Sequence, residues 1–161
     1  MPSDTHHRAP RKPEHDYSAA GTYFVTIRTQ HGLSLFGDIH DGVMHTTPAG
    51  EMLIHWWREI AHKHPTVTLD AFVVMPNHIH GLLVFTQSGT VALPDVMRWY
   101  KTMTTNAYIR GVKEDGWPRF PGKLWQRSYH DHIVRDATHL DRVRRYIRAN
   151  PATWHRDRFN R

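Results

Sequence analysis

Residues 67–85, VTLDAFVVMPNHIHGLLVF, decide the fold. Residues 67–75 and 78–85 are both rich in β-branched and aromatic side chains, and only Pro76 and Asn77 lie between them. Two such runs joined by a two-residue turn predict a pair of antiparallel strands. We therefore expect this hairpin at the centre of the molecule.

Upstream of the hairpin, the sequence predicts one strand, one small hairpin and one helix. Residues 21–29 (GTYFVTIRT) have strand composition, and residues 33–45 contain an Asp-Gly pair between short apolar runs, which indicates a hairpin turn. Thr47 followed by Pro48 is typical of a helix N-cap and first helical position. The apolar residues that then recur at helical spacing, before Pro65, are Met52, Leu53, Trp56 and Ile60.

Downstream of the hairpin, the sequence predicts a helix, a loop, a short strand and a last helix. The second helix opens at Pro94 and is expected to stop near Gly111, since glycine commonly follows a helix end. Residues 116–122 contain two prolines and indicate a loop, and residues 124–126 are expected to form a short strand. Residues 136–150 are predicted to form a helix that ends before a proline.

Together these elements predict a fold of the α+β class. The order strand, helix, two strands, helix, strand and helical tail matches the ferredoxin-like split βαβ arrangement. In this arrangement an antiparallel sheet carries helices packed on one face. The last predicted helix follows the sheet as a C-terminal element.

The composition indicates one basic domain. A chain of 161 residues is long enough for a single core. The formal net charge is +6, and arginine outnumbers lysine, which suits phosphate binding. The chain contains no cysteine, so any metal must be bound by histidine, carboxylate or amide side chains. A polyanion such as nucleic acid is the first partner to consider.

The chain divides into a short arm and one folded domain. Residues 1–17 combine prolines with basic residues and contain almost no apolar side chain, which predicts a flexible basic arm. Residues 18–161 form the predicted domain. No stretch approaches the roughly 18 apolar residues of a membrane span, and the amino terminus has no hydrophobic signal core. We therefore expect no membrane partner and a cytoplasmic location.

His78 and His80 lie on the second strand of the central hairpin. Because strand side chains alternate, both imidazoles face one side of the sheet and Ile79 faces the other. The apolar neighbours predict a buried environment, in which two polar rings are costly unless they bind something. Two imidazoles on one face can chelate one cation. Chance is the alternative explanation, since fifteen histidines produce such triplets readily.

Two more His-x-His triplets occur, at residues 62–64 and 130–132. The first lies at the end of a predicted helix, where side chains two residues apart diverge by about 200° and chelate poorly. We expect these histidines to be solvated and to interact with the helix dipole. The second triplet lies in a segment predicted as loop or short helix, with phosphate contact and simple exposure as alternatives.

The run VVMPNHIHGLLV, residues 73–84, closely resembles a known signature. That signature is the HUH motif of the insertion-sequence-200-like single-tyrosine transposase family, and the likeness is greatest to its REP-associated tyrosine transposase branch. Further segments resemble the same family, namely YFVT at 23–26, LWQRSY at 124–129 and RYIRANP at 145–151, so that the resemblance spans about residues 20–155. Residues 18–161 would then be one HUH transposase-like catalytic domain.

The resemblance implies an enzyme that cleaves and rejoins single-stranded DNA through a covalent 5′-phosphotyrosine intermediate. It implies a divalent metal cation, Mg²⁺ or Mn²⁺, as cofactor. The expected partner is single-stranded DNA with hairpin or palindromic repeat elements. Relatives include homodimers as well as monomers, so a homodimer is one expectation for this chain.

The resemblance places the nucleophile at Tyr146, in the late Tyr-Ile-x-x-Asn-Pro pattern. It also implies that His78, His80 and Asn150 bind the metal. Helical geometry agrees, because residues four apart lie above one another on a helix. From the residues alone, Tyr146 is an amphipathic side chain beside a core helix and Asn150 is a helix C-terminal residue. Tyr129 is the alternative nucleophile.

Seven side chains are candidates for DNA contact. Arginines of the last helix surround Tyr146 but point in several directions, so not all can reach one phosphate, and a solvated basic face is the alternative to phosphate binding. Residues 124–129 carry aromatic rings that can stack unpaired bases, with core packing as the alternative. The candidates are Arg142, Arg145, Arg148, Trp125, Gln126, Arg127 and Tyr129.

Three alternatives to a transposase are compatible with the sequence. A catalytically inactive or domesticated module would bind hairpin DNA without cutting it. A metal-dependent phosphodiester hydrolase would activate water and leave no covalent adduct on the protein. A purely structural basic protein would leave the buried histidine pair without a role.

Overall fold

The structure is a computed structural model that describes residues 15–160. Most of the predicted basic arm, residues 1–14, lies outside the described residues. The described end of that arm packs against the first strand: His15 Nε2 lies 2.9 Å from the hydroxyl of Tyr23, and the ring of Tyr17 stacks on that of Tyr23. Within residues 15–160, no helix is long and apolar enough to cross a membrane.

Four strands form one antiparallel sheet in the middle of the described structure. They are β1 (Gly21–Arg28), β4 (Val67–Met75), β5 (His78–Phe85) and β6 (His130–Val134). A separate ribbon contains β2 (Gly37–His40) and β3 (Val43–Thr46). The helices are α1 (Pro48–Lys63), α2 (Leu93–Asp115) and α3 (Ala137–Ala149), and a 3₁₀ turn covers Pro151–Arg156.

The strand order of the sheet is β4-β5-β1-β6, with every neighbouring pair antiparallel. If the four strands are numbered in chain order, this order is 2-3-1-4, as in a split βαβ fold. The predicted fold class is therefore confirmed. The central hairpin β4–β5 turns at Pro76 and Asn77, as the sequence predicted.

Helices α1 and α2 cover one face of the sheet, and α3 covers the other. Alternate residues of β5 serve the two sides: Ile79 belongs to the main core with α1 and α2, whereas Leu82 belongs to a smaller cluster with α3. Val143 and Ile147 are the buried residues that α3 contributes to this smaller cluster. The histidine pair shares its face with Leu82, so the sheet presents both imidazoles towards α3.

Trp57 of α1 packs closely against β5 where that strand has Gly81. A Cβ atom at Gly81 would lie 2.4 Å from the Trp57 ring. This close approach explains why glycine follows His80 directly. Helix α1 therefore supports the histidine strand on the face of the sheet opposite the two imidazoles.

Two predicted elements differ from the structure. Helix α2 does not stop near Gly111 but continues to Asp115, and Gly116 ends it in a left-handed conformation. Gly111 lies inside the helix and leaves room for Trp117, since a Cβ there would lie 2.2 Å from the indole. The last sheet strand is His130–Val134, whereas residues 124–126 contribute only an isolated bridge between Trp125 and Thr29.

Candidate active site

His78 and His80 lie side by side on the face of the sheet that α3 covers. Their ring centroids are 4.7 Å apart, and their side chains are buried. Across the strand pair, His78 lies opposite Arg28 and His80 lies opposite Thr26 on β1. The structure thus confirms the predicted arrangement of the two imidazoles, although not by itself their role.

Asn77 fixes the orientation and the tautomer of His78. The amide nitrogen of Asn77 donates hydrogen bonds to the backbone oxygens of Phe159, at 2.7 Å, and Gly32, at 3.3 Å. Its amide oxygen therefore faces Nδ1 of His78, 2.8 Å away, and can only accept. Nδ1 of His78 must carry the proton, which leaves the lone pair on Nε2.

Thr26 has the corresponding position beside His80. Its Oγ1 lies 2.7 Å from Nδ1 of His80, and both groups are buried. A hydroxyl that accepts from Nδ1 would leave the Nε2 lone pair of His80 available, as in His78. An imidazole held through its other ring nitrogen is the usual arrangement of a metal-binding histidine.

Both imidazoles are neutral at neutral pH. Burial lowers the pKa of His80 to about 3, with a smaller contribution from Arg158. Burial also lowers the pKa of His78 well below its usual value, assisted by His80 and Arg28, while the Asn150 side chain opposes part of that shift. Neutral imidazole is the form that binds a metal.

Three acceptor atoms in this cluster have no hydrogen-bond partner although they are buried. They are Nε2 of His78, Nε2 of His80 and Oδ1 of Asn150. The amide nitrogen of Asn150 donates to the backbone oxygen of Tyr146 at 3.2 Å, which turns Oδ1 away from the helix. Buried acceptors without partners are costly, so this cluster fits a cation.

Tyr146 stands beside the histidine pair on α3. Its ring centroid is 5.4 Å from that of His80 and 6.0 Å from that of Phe24. About half of the side chain, 49%, is exposed, so the tyrosine forms the boundary between the buried acceptors and solvent. The structure therefore brings together the four residues predicted as nucleophile and metal ligands, although their roles stay predictions.

An ion pair locks α3 onto the edge strand of the sheet. Arg144 donates to both carboxylate oxygens of Asp70, from Nε at 2.9 Å and from a terminal nitrogen at 2.6 Å. Asp70 lies at an irregularity in the pairing of β4 with β5, where the strand bends. This bidentate contact leaves Arg144 unavailable to a ligand and fixes the rotation of the helix that carries Tyr146.

The three arginines predicted for DNA contact on α3 are exposed. Arg145 forms a 3.6 Å ion pair with Asp141 one turn earlier, and both side chains are largely exposed. Arg142 and Arg148 also lie on the solvent side of the helix. All three lie within four residues of Tyr146, on the helix that carries it.

The other four DNA-contact candidates occupy a different part of the molecule. Trp125, Gln126 and Tyr129 are buried, and Nε1 of Trp125 donates to Thr104 of α2 at 2.9 Å. Arg127 is exposed. Core packing, the alternative for residues 124–129, thus describes most of this segment, and Tyr129 lies in the main core rather than beside the histidines.

A basic groove runs between α2 and residues 122–129. It has a volume of about 620 Å³. Lys101 closes one wall by donating from Nζ to the backbone oxygens of Gln126 and Arg127, at 2.7 and 3.0 Å. The residues that line it include Arg98, Lys101, Thr102, Thr105, Asn106, Lys123, Trp125, Arg127 and Tyr129.

The two other histidine triplets differ from each other. His130 and His132 lie on β6, opposite Thr26 and Phe24, so they share the face of the candidate site. The sequence predicted a loop or short helix there. In the other triplet, His62 is exposed beside Glu59. The ring of His64 packs against Trp99, so the prediction that both histidines are solvated is wrong for His64.

The C-terminal tail adds residues that sequence reasoning missed. The ring of Phe159 lies 4.6 Å from that of His78, and Arg28 and Arg158 both stack on it. Oδ2 of Asp157 lies 4.0 Å from Nε2 of His78. The pairing of β1 with β5 was a signal for Arg28, but the tail has no periodic pattern that predicts where it packs.

The donor set is unusual for a metal site. Among residues 15–160, no group of three histidine, cysteine, aspartate or glutamate side chains is arranged to hold a metal ion. The set here is two imidazoles and one amide oxygen. Nitrogen and neutral oxygen donors of this kind suit Mn²⁺ better than Mg²⁺.

Comparison with known proteins identifies the class. The family described as "Transposase IS200 like" matches residues 43–150, which is most of the folded region. An uncharacterised protein of Haemophilus influenzae is 31% identical over 167 residues, and the match covers 96% of this chain and 93% of that protein. The chain belongs to the IS200-like transposase family.

Two solved structures have the same fold. One is a REP-associated tyrosine transposase bound to a REP hairpin, with a TM-score of 0.65, 21% identity and coverage of 92% of this chain and 85% of that one. The other is a candidate transposase from Deinococcus radiodurans, with a TM-score of 0.53, 21% identity and coverage of 86% and 95%. At this identity the likeness concerns the fold.

Proposed function

We propose that this chain is a metal-dependent, single-tyrosine HUH transposase that cuts and rejoins single-stranded DNA. One observation carries the proposal: three buried acceptors without partners, on His78, His80 and Asn150, lie next to a half-exposed tyrosine. A structural histidine pair would have its nitrogens satisfied. Membership of a transposase family makes DNA the expected substrate.

The metal would be held by Nε2 of His78, Nε2 of His80 and Oδ1 of Asn150. When bound, a divalent cation polarises a phosphate oxygen and offsets negative charge that develops during phosphoryl transfer. Asn77 and Thr26 hold the two imidazoles by their Nδ1 atoms, so the ligands are oriented before any substrate arrives. The low pKa values of both imidazoles keep the ligands deprotonated.

Tyr146 is the proposed nucleophile. Its phenolic oxygen forms a bond to the scissile phosphorus, and the bond from phosphorus to the 3′ oxygen of the preceding nucleotide breaks. The 3′ oxygen leaves with the electron pair and takes up a proton, while the phenolic proton passes to solvent, which reaches this half-exposed side chain. The products are a 5′-phosphotyrosine and a free 3′ hydroxyl.

Rejoining is the reverse of this step with another 3′ hydroxyl. The aryl phosphodiester keeps the energy of the broken bond, and a phenol is a better leaving group than an alkyl alcohol. No nucleotide cofactor is therefore needed. The ion pair between Arg144 and Asp70 holds the nucleophile's helix in place during both steps.

DNA would contact two basic surfaces. Arg142 lies one turn before Tyr146 on the same side of α3 and is the best placed of the three arginines to bind the backbone beside the scissile phosphate, whereas Arg145 and Arg148 point in other directions. The basic groove beside α2, which includes Lys123 and Arg127, offers further cations and a partly aromatic floor. Because a relative of the same fold was solved with a REP hairpin, we propose hairpin-bearing DNA as the substrate. A homodimer stays a prediction.

A covalent-adduct assay tests the function. The protein is incubated with labelled single-stranded DNA that carries candidate hairpins and with Mn²⁺, and the products are separated under denaturing conditions. We expect a protein-linked DNA band that chelator abolishes and that Tyr146→Phe lacks, whereas Tyr129→Phe retains it. Cleavage without an adduct would indicate a water-activating hydrolase, and binding without cleavage of a genuine site would indicate an inactive module.

A further inference from the structure

Three aromatic side chains adjoin one another on the face of the sheet that α3 covers, beginning at Tyr146. The ring centroid of Phe24 on β1 lies 6.0 Å from that of Tyr146. The strand pairing places His132 of β6 directly opposite Phe24, with ring centroids 6.3 Å apart and planes tilted by 32°. Phe24 therefore connects the proposed nucleophile to the edge strand β6.

This row of rings reaches the part of the sheet that is open to solvent. Helix α3 is tied to β4 by Arg144 and Asp70, whereas β6 is the opposite edge of the sheet. His132 is accordingly exposed, and Phe24 is half-buried. Together with the half-exposed ring of Tyr146, they offer solvent a continuous aromatic surface.

An unpaired nucleobase fits the chemistry of this surface. Bases of single-stranded nucleic acid stack on aromatic side chains, and the contact tolerates any sequence because every base has a π-face. A phosphate positioned at the hydroxyl of Tyr146 has a nucleotide on each side. Since the ring of Phe24 adjoins that of Tyr146, the base of one of these nucleotides can reach it.

The charges around the surface favour a DNA strand. Arg142 lies one turn before Tyr146 on the same side of α3, and Arg135 follows β6; both are exposed. The acidic residue of β6, Asp131, is placed on the other face of the sheet by strand alternation. Asp136 is engaged as the N-cap of α3. Phosphates on either side of a stacked base would therefore lie near exposed cations.

We propose that Phe24 and His132 form a stacking platform for one unpaired base beside the scissile phosphate. This inference rests on the proposed function and adds two substrate-binding residues to the nucleophile and the metal ligands. The platform holds the flanking nucleotide and so aligns the phosphate with the hydroxyl of Tyr146. Because stacking tolerates any base, it fixes the position of the strand without reading the sequence there.

Abasic sites in the DNA test the stacking platform. The probe is a labelled, hairpin-bearing single strand whose cleaved bond has been located through the covalent adduct. Copies of this strand each lack the base at one position beside that bond. Binding is measured by fluorescence anisotropy in the Tyr146→Phe background, which keeps the ring but cannot form the adduct.

The variants added to this background are Phe24→Leu and His132→Ala, with Phe120→Leu and His62→Ala as matched controls. Phe120 is partly buried against the main core, and His62 is exposed on α1. We expect one abasic position to weaken binding by about tenfold, the size typical of one stacked base. Phe24→Leu and His132→Ala should remove most of that difference, because lost base and lost ring belong to the same contact. The controls should keep it in full.

Fluorescence of 2-aminopurine at the same position gives a second readout, since stacking on a ring quenches it. It should be quenched by the background protein and brighter with Phe24→Leu and His132→Ala. Should Phe24→Leu lower Tm sharply, His132→Ala decides, because that side chain is exposed. The inference alone is overturned if no abasic position weakens binding, or if both variants keep the full difference. If the unchanged protein forms no adduct with the strand, the proposed function fails and the platform with it.

Discussion

Arg144 of α3 and Asp70 of β4 form a bidentate ion pair, with contacts of 2.6 and 2.9 Å, two residues before Tyr146. Each partner comes from a different element, so the pair ties the tyrosine-bearing helix to the sheet edge. The buried side of the same helix is small, with Val143 and Ile147 as its buried residues. The rotation of α3, and thus the direction of Tyr146, depends on this contact as well as on apolar packing.

The pair predicts a specific pH dependence of stability. The hydrogen bonds from Arg144 lower the pKa of Asp70 from its usual value. A carboxylate with a lowered pKa in the folded state contributes stability above its unfolded pKa, near 3.9, and loses it as the pH falls through the folded value. Asp70→Asn should therefore lower Tm at pH 7 but converge on the unchanged protein at pH values well below 3.9.

Thermal unfolding between pH 7 and pH 2 checks this prediction, with Asp141→Asn as a control. Asp141 forms an exposed ion pair on the same helix, and such pairs contribute little. A constant difference in Tm between Asp70→Asn and the unchanged protein across this pH range would show that the ion pair is not responsible.

Thr26→Val should weaken Mn²⁺ binding by about tenfold or more while leaving the sheet intact. Valine keeps the shape and strand preference of threonine but removes the oxygen that lies 2.7 Å from Nδ1 of His80. The matched control is Thr22→Val, four residues away on the same face of β1 and opposite Val84. Equal metal affinity of the two variants would show that the hydroxyl does not orient His80.

Gly81→Ala should destabilise the fold by about 1–3 kcal/mol, the usual cost of overpacking. The added Cβ would lie 2.4 Å from the Trp57 ring, which is itself stacked on Phe72. Denaturant unfolding measures the change. The double variant Gly81→Ala/Trp57→Phe should recover part of the loss, because the shorter ring vacates the contact. Additive losses in the double variant would argue against this cause.

Lys123→Ala/Arg127→Ala should lower the affinity for single-stranded DNA and flatten its dependence on salt. Each lost phosphate contact reduces the slope of log K against log salt by about 0.7 for a single strand. Fluorescence anisotropy of labelled DNA over a range of salt concentrations checks this. Lys113→Ala, an exposed lysine near the end of α2 that does not line the groove, is the control. A slope unchanged in the double variant would exclude the groove as a backbone site.

The sequence predicted the sheet strands where β-branched and aromatic residues are concentrated. Residues 67–75 and 78–85 have this pattern, and their pairing, turn and histidine face were all predicted correctly. Strand His130–Val134 was missed because its first three residues, two histidines and an aspartate, lack this composition. Helix α2 continues past Gly111 to a second glycine, Gly116, which ends it in a left-handed conformation, and Gly111 inside the helix leaves room for Trp117.

Within the site, residues on regular elements were easier to predict than their supports. The four candidate residues His78, His80, Tyr146 and Asn150 came from a motif and a family resemblance. Asn77 and Thr26 orient the two imidazoles. These contacts depend on the turn between β4 and β5 and on the pairing of β1 with β5, so no local sequence pattern predicts them. Asp157 belongs to a tail whose position is set by tertiary contacts, so no local pattern predicts its approach to His78.

The identity of the residue to which DNA becomes attached tests the central claim most directly. After incubation with hairpin-bearing single-stranded DNA and Mn²⁺, the protein is digested with nuclease and protease and its peptides are sequenced by mass spectrometry. The account predicts that the residual nucleotide is attached by a phosphodiester to Tyr146, and that Tyr146→Phe yields no modified peptide. Attachment at Tyr129, or cleavage of the DNA with no modified tyrosine, would contradict it.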